Sequence, residues 1–108
     1  MRHLTTALLL LASTCAAGAT PHRCVVHALL DPGCPACAEF RHEGEGAYRA
    51  SALGAQVPLV EEDFRTSKYG PVWGTPTFVV TCGGRRVGEI QGYLGETDFE
   101  QAVAGLVQ

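Results

Sequence analysis

The sequence is short of basic residues, long hydrophobic runs and methionine, and each shortage argues against a class of protein. Eight Lys and Arg stand against eleven Asp and Glu, and a formal net charge of −3 argues against a nucleic-acid partner. The apolar run at residues 7–12 is too short to span a membrane comfortably. Met1 is the only methionine, so the chain offers little to a copper site that uses thioethers.

The first 19 residues have the pattern of a signal peptide. A polar start that contains Arg2 precedes the apolar run, and small residues at positions 17–19 form a cleavage site. Cleavage there would leave one domain at residues 20–108 and, because Arg2 is lost, change the formal charge from −3 to −4. A lipoprotein anchored through Cys15 is less favoured, because the residue before it fits that signal poorly. We therefore expect an exported protein in a compartment that permits disulfides.

The chemistry of the sequence centres on a C-x-x-C motif, Cys34-Pro35-Ala36-Cys37. An apolar run at residues 25–30 predicts a strand before the motif, and the residues after it predict a helix. Cys34 then lies at a helix N-terminus, where unpaired N–H groups and the helix dipole favour the nucleophilic thiolate. Cys37 lies within reach to resolve a mixed disulfide, and Pro35 suits the first helical turn because it lacks an N–H.

Strand and helix patterns alternate along the rest of the chain and predict one α/β domain. Further strands are predicted at residues 57–62, 77–81 and 86–90. The helix between the first two strands makes them parallel, and Gly83-Gly84 makes the last two a hairpin. The result is a mixed sheet of about four strands.

Glycines and one capping pattern predict the helix boundaries. The helix after the C-x-x-C is expected to weaken at Gly44 and Gly46 and to end at Gly54. A capping box at residues 97–100 is expected to begin the final helix.

A second motif, Thr75-Pro76 before the third strand, completes a resemblance to the thioredoxin-like superfamily that covers about residues 24–107. The resemblance implies a thiol–disulfide oxidoreductase with a minimal thioredoxin-like fold and helices on both faces of its sheet. It also implies that the Thr75–Pro76 bond is cis. The residues implied to bind the substrate are Pro35, Ala36, Thr75 and Pro76. The cysteine pair is itself the redox group, so no cofactor and no metal are implied.

Within that superfamily the sequence most resembles the small periplasmic thioredoxins of bacterial sulfur-oxidation systems, the SoxS type. The segments that carry this resemblance are residues 32–38, 78–79, 84–88 and 92–96. It implies a periplasmic reductase for the cysteine on the swinging C-terminal arm of a sulfur-carrier protein. Its electrons would come from a membrane donor of the thiol-reducing type.

Departures from thioredoxin leave the direction of electron flow open. Thioredoxin has Trp before its first active-site cysteine and Gly-Pro between the pair, where this sequence has Gly33 and Pro35-Ala36. Cys-Pro-x-Cys also resembles glutaredoxins and the oxidant DsbA, and Thr75 before the proline resembles disulfide isomerases. A periplasmic oxidase or isomerase is therefore the alternative. We expect a reduction potential between about −270 mV and about −120 mV.

The proton acceptor for Cys37 is also open. Where thioredoxin has a buried Asp in its first strand, this sequence has Ala28. Glu61, His27 or water could take the proton. The favoured interpretation of His27 is a structural strand histidine, and that of residues 61–63 is a solvated strand end.

The remaining cysteines, Cys24 and Cys82, lie outside the motif. The thioredoxin arrangement makes their strands antiparallel neighbours and places both residues at the end of the sheet away from Cys34. A cross-strand disulfide is one interpretation and would contribute about 3–4 kcal/mol. Two separate thiols are the other.

Two other classes of function use the same cysteines. Cys34 and Cys37 could bind copper or another metal in a thiol module, for which His42 is the nearest downstream histidine. The C-x-x-C could also be purely structural in a binding domain, but Thr75-Pro76 argues against that interpretation.

Overall fold

A four-stranded mixed sheet lies at the centre of the computed structural model, which describes residues 23–108. The strands in chain order are β1 Cys24–Leu30, β2 Leu59–Asp63, β3 Thr77–Cys82 and β4 Arg85–Gln91. Their spatial order is β2-β1-β3-β4, with β1 parallel to β2 and antiparallel to β3, and β3 antiparallel to β4. The predicted α/β class with a mixed four-stranded sheet is confirmed. The expected signal peptide at residues 1–19, with Cys15, lies outside the described residues.

Strand character follows the distribution of apolar and branched side chains. The two central strands, β1 and β3, are rich in such residues and largely buried, as strands covered on both faces should be. The edge strand β4 is mostly exposed. Gly83 and Gly84 have φ of 60° and 78°, which a two-residue hairpin turn of this kind requires and which glycine adopts without strain.

The helices follow the sheet order, with one irregular stretch. Their bounds are α1 Pro35–Glu39, a π-helical segment Phe40–Gly44, α2 Glu45–Ala50, α3 Ala52–Gln56 and α4 Glu96–Leu106. The chain is helical without interruption from Pro35 to Ala50, so the expected weakening at Gly44 and Gly46 does not break the helix: Gly44 is the last residue of the π-helical segment and Gly46 lies within α2. Among residues 23–108, no helix is both long and apolar enough to cross a membrane.

Two predicted helix boundaries are wrong. Gly54 does not end a helix: the break occurs at Ser51, whose Oγ accepts a hydrogen bond from Gly54 N at 2.9 Å and caps α3. Gly54 is instead a point of close packing, because a Cβ there would lie 1.9 Å from the Tyr48 carbonyl oxygen. The final helix begins at Glu96 without a side-chain cap, and the expected capping box does not form. Gly95, with φ 114°, turns the chain into it.

An aromatic cluster fixes the helices to one face of the sheet. The ring of Phe40 lies 4.8 Å from that of Phe78 and 5.3 Å from that of Phe99, and Phe78 lies 4.5 Å from Phe99. All three are buried with Cys37 in one hydrophobic core. Because Phe40 lies one helical turn after Cys37, the cluster also sets the position of the helix that carries the C-x-x-C.

The opposite face of the sheet is covered by the connector at residues 64–76. We expected helices on both faces, whereas the helices of residues 23–108 pack on one face and the connector is not helical. The connector is not helical because it contains two glycine–proline segments, and glycine and proline both disfavour helix interiors. They lie at residues 70–71 and 74–76, and the Gly70–Pro71 bond is cis.

His27 anchors this connector from β1. Its Nδ1 lies 2.5 Å from Glu62 Oε2, and because a carboxylate only accepts, Nδ1 carries the proton. Its Nε2 lies 3.0 Å from Thr81 Oγ1. The ring packs 4.4 Å from that of Tyr69, and Ser67 Oγ donates to Glu62 at 2.7 Å. His27 is therefore a satisfied structural histidine.

Cys24 and Cys82 form a disulfide that closes the end of the sheet away from Cys34. They are directly opposed in the register of β1 and β3. The bond closes a loop with a sequence separation of 58, which restricts the unfolded chain much more than the folded one.

The double variant Cys24→Ser with Cys82→Ser should be less stable by about 3–4 kcal/mol, because the unfolded chain regains the entropy of that loop. Urea unfolding of both proteins measures this difference. Disulfide exchange at Cys34 should be retained in the folded double variant, since the bond lies at the far end of the sheet. Unchanged stability would show that the disulfide is not structural.

Candidate active site

The turn between β1 and α1 directs Cys34 to the start of a helix. Gly33 N donates to Asp31 Oδ1 at 3.0 Å, and Cys34 N donates to the Asp31 carbonyl oxygen at 3.1 Å. Cys34 is the N-cap of α1, and Pro35 follows in the first turn. The Cys37 N–H donates to Cys34 Sγ at 3.1 Å. The sulfur atom thus takes the position that a Ser or Asp oxygen takes at other helix starts.

This environment favours the thiolate of Cys34. Partial burial is the largest single influence and raises the pKa. Hydrogen bonds from the side chains of Cys37 and Thr75 and from the backbone N–H groups of Cys37 and Ala36 together outweigh it, so the pKa of Cys34 lies below its ordinary value. Cys34 is also partly exposed. It is the member of the pair that can attack a substrate.

Cys37 differs from Cys34 both in its burial and in the direction of its pKa shift. Its side chain is fully buried in the core. Burial, followed by the hydrogen bond with Cys34, raises the pKa of the Cys37 thiol. Both cysteines are free thiols in this structure. One thiol is thus ready to react while the other keeps its proton, which is the asymmetry that sequential thiol–disulfide exchange requires.

The Thr75-Pro76 turn lies directly against Cys34. The Thr75–Pro76 peptide bond is cis. Cys34 Sγ donates to the Thr75 carbonyl oxygen at 3.2 Å. The turn is held from two sides: Thr77 Oγ1 donates to the Gly74 carbonyl oxygen at 2.6 Å, and Gly92 N donates to the Pro76 carbonyl oxygen at 2.8 Å. The two sequence motifs therefore meet in one site.

Only one of the two side chains considered as proton acceptor lies on the correct face. Side chains alternate along a strand, so His27 points away from the face on which Ala28 and Cys37 are buried together. Glu61 pairs with Ala28 in the β1–β2 register. It accepts a hydrogen bond at 3.0 Å from Arg41, which lies one helical turn after Cys37. His27 is thereby excluded as the proton acceptor for Cys37, and Glu61 and water remain as candidates.

Two exposed apolar side chains near this site were missed by the motif-based interpretation. Trp73 precedes Thr75 by two residues, and Leu94 follows Gly92 by two. Their side chains are 99% and 83% exposed. The signal in the sequence was a Trp within the Thr-Pro segment, but sequence alone does not distinguish an exposed Trp from a core one.

Cys34 can attack a substrate disulfide, and Cys37 can then displace the substrate sulfur bound to Cys34. The cysteine pair can therefore change between the dithiol and the disulfide form. The chain is a thiol–disulfide oxidoreductase with the thioredoxin fold. It is similar to the periplasmic thioredoxin SoxS from Paracoccus pantotrophus in its reduced form, with 28% identity and a TM-score of 0.72. The match covers 79% of this chain and 96% of SoxS. The resemblance to the thioredoxin-like superfamily and to the SoxS type is confirmed.

More distant thioredoxins share the fold. A thioredoxin mutant from Halobacterium salinarum is 20% identical with a TM-score of 0.62, over 81% of this chain and 77% of that one. A Malassezia sympodialis thioredoxin is 15% identical with a TM-score of 0.65, over 81% of this chain and 80% of that one. No protein-family model matches the sequence, and no curated protein is significantly similar to it.

The alkylation rate of Cys34 should rise with pH through a midpoint below that of an ordinary thiol, about 8.5, because its thiolate is stabilised. Cys37 should react slowly over the same range, because it is buried and its pKa is raised. Iodoacetamide labelling at a series of pH values, with the site read by mass spectrometry, tests both statements. A Cys34→Ser variant should lose the fast phase. Equal reactivity of the two thiols would contradict the asymmetry.

Proposed function

We propose that this protein is a periplasmic reductase that keeps the cysteine of a sulfur-oxidation carrier protein reduced. The observation that carries the chemistry is the pairing of a partly exposed, low-pKa Cys34 with a buried, high-pKa Cys37. The similarity to the periplasmic thioredoxin SoxS, over nearly the whole of that protein, supports the compartment and the pathway. Export would depend on the signal peptide at residues 1–19, and electrons would come from a membrane donor of the thiol-reducing type.

The proposed reaction has two exchange steps. The Cys34 thiolate attacks one sulfur of the substrate disulfide, forms a mixed disulfide with it and releases the other sulfur as a thiolate. Cys37 then loses its proton, to Glu61 or water, and attacks Cys34 Sγ. The reduced substrate leaves and the Cys34–Cys37 disulfide remains. The two electrons gained by the substrate are those lost by the cysteine pair.

The turn around Cys34 provides the proposed binding site for the substrate chain. Pro35 and Ala36 follow Cys34 on one side, and Thr75 and Pro76 lie on the other. The Thr75 carbonyl oxygen that accepts from Cys34 in the resting state is an acceptor for an extended substrate backbone. The Thr75 side chain lowers the pKa of Cys34 and so favours the thiolate as leaving group as well as nucleophile.

The Cys37→Ser variant should trap a mixed disulfide between Cys34 and the substrate, because the second step is lost while the first remains. Mass spectrometry of complexes from the periplasm of a sulfur-oxidising host identifies the trapped partner. Cys34→Ser is the matched control and should trap nothing. Capture of only abundant, unrelated secreted proteins would contradict the sulfur-carrier proposal and leave the exchange chemistry in place.

The reduction potential of the Cys34–Cys37 pair separates a reductase from an oxidase or isomerase. We expect a value between that of thioredoxin, about −270 mV, and that of DsbA, about −120 mV, on the thioredoxin side. Thr75→Val should make the potential more negative, because it removes a side chain that lowers the pKa of Cys34. Equilibration with glutathione or dithiothreitol buffers measures both values. A wild-type value near that of DsbA would favour the oxidase or isomerase.

The alternative from a different class is a metal-binding thiol module. Within residues 23–108 no group of three or more His, Cys, Asp or Glu is placed to hold a metal ion, so Cys34 and Cys37 would be its only residues of those types. Titration of the reduced protein with copper or zinc tests it. Tight, stoichiometric binding would favour this alternative.

A further inference from the structure

The most exposed large apolar side chains of the described residues are both near Cys34. Trp73 is 99% exposed and Leu94 is 83% exposed, whereas the next two, Val60 and Val87, are 45% and 42% exposed. A tryptophan with almost no protein contact leaves a large apolar surface in water. Tryptophan is also one of the residues enriched among those that dominate binding at protein interfaces.

Both side chains project from loops that border the reacting sulfur. Trp73 is two residues from Thr75, whose carbonyl oxygen lies 3.2 Å from Cys34 Sγ. Leu94 is two residues from Gly92, whose N–H donates to the Pro76 carbonyl oxygen at 2.8 Å. Two residues of extended chain span at most about 7 Å. Trp73 and Leu94 therefore lie beside the turn that a substrate must occupy to reach Cys34.

The backbone of both loops is anchored while the two side chains remain uncovered. The Thr77 hydroxyl donates to the Gly74 carbonyl oxygen, directly after Trp73. Tyr93, directly before Leu94, is buried, packs 5.4 Å from the Phe40 ring and donates to Glu43 at 3.0 Å. An anchored backbone has little freedom left to lose when a partner covers its side chains, which lowers the entropic cost of binding.

The three segments that surround Cys34 also have no charged side chain. They are residues 32–38, 73–77 and 90–95. An anionic small disulfide such as glutathione disulfide finds no counter-charge within them. An uncharged, apolar polypeptide surface is complementary to them, because neither partner has to lose hydration of a charge on contact.

We propose that Trp73 and Leu94 are specificity-determining residues that bind an apolar side chain next to the reacting cysteine of a polypeptide substrate. The pair would make the enzyme select, among polypeptide disulfides, those with an apolar residue close to the reacting cysteine. The inference rests on the exchange activity of the proposed function and is independent of which protein supplies the cysteine.

Two synthetic peptides test the proposal. Each carries a cysteine in a mixed disulfide with 2-mercaptoethanol, and they differ only in having Leu or Ser two residues from that cysteine. The wild-type enzyme should reduce the Leu peptide with a kcat/KM about tenfold higher than the Ser peptide. Trp73→Ala should remove most of this preference, and Trp73→Phe should restore part of it. Turnover of bis(2-hydroxyethyl) disulfide and the alkylation midpoint of Cys34 should not change.

Val87→Ala is the matched control, since it removes an exposed apolar side chain from β4 and should leave the preference intact. A second readout uses the fact that Trp73 is the only tryptophan. When Cys37→Ser forms its mixed disulfide with the Leu peptide, the emission of Trp73 should shift to shorter wavelength.

The possible failures are distinguishable. If Trp73→Ala lowered kcat/KM equally for the two peptides and for bis(2-hydroxyethyl) disulfide, the substitution would disturb the site itself. If Trp73→Ala kept the preference for the Leu peptide, Trp73 would not bind the substrate. Either result overturns the inference. Failure of the wild-type enzyme to reduce any of the three disulfides would instead overturn the proposed function.

Discussion

The antiparallel pairing of β1 with β3 is the constraint on which both ends of this structure depend. Its register sets Leu29 opposite Thr77 at one end and Cys24 opposite Cys82 at the other. At the first end, the C-x-x-C that follows β1 meets the Thr75-Pro76 turn that precedes β3. At the second end, the same register brings two cysteines together in a disulfide. A shift of the register by one residue would reverse the face of every side chain on one strand. It would also separate Cys24 from Cys82 and the C-x-x-C from the Thr75-Pro76 turn.

A domain this small covers the two faces of its sheet by different means. On one face, Phe40, Phe78 and Phe99 hold the helices by ring contacts, and Cys37 is buried among them. On the other face, a connector without a helix is held by the ring contact of Tyr69 with His27 and by the hydrogen bond that Ser67 donates to Glu62. That connector continues into the Thr75-Pro76 turn beside Cys34, which is held in turn by hydrogen bonds from Thr77 and Gly92.

The difference in pKa between the two cysteines arises mainly from their depth. Cys34 lies at the surface, where the hydrogen bonds of a helix start outweigh the effect of burial, and Cys37 lies one turn deeper, where burial dominates. Thioredoxin has a buried carboxylate near the second cysteine, and this chain has Ala28 there. Of the two candidate proton acceptors, His27 and Glu61, only Glu61 lies on that face. It is on the neighbouring strand and is paired with Arg41.

Several features of this protein depend only on local chemistry and could be predicted from neighbouring residues along the chain. Strand positions followed from runs of branched apolar residues, the hairpin from Gly83-Gly84, and the helix-start position of Cys34 from the C-x-x-C after a strand. Each is set by backbone sterics and side-chain periodicity within a few residues. Resemblance to a known fold supplied the order of the strands and the meeting of the two motifs.

Other features depend on neighbours far along the chain and are visible only in the folded structure. Gly54 is a contact with Tyr48 rather than a helix end, and the final helix starts at Glu96 because Gly95 turns the chain there. The partners of His27 and the exposure of Trp73 follow from which segments pack nearby. Packing of this kind involves residues tens of positions apart, and local patterns carry no information about it.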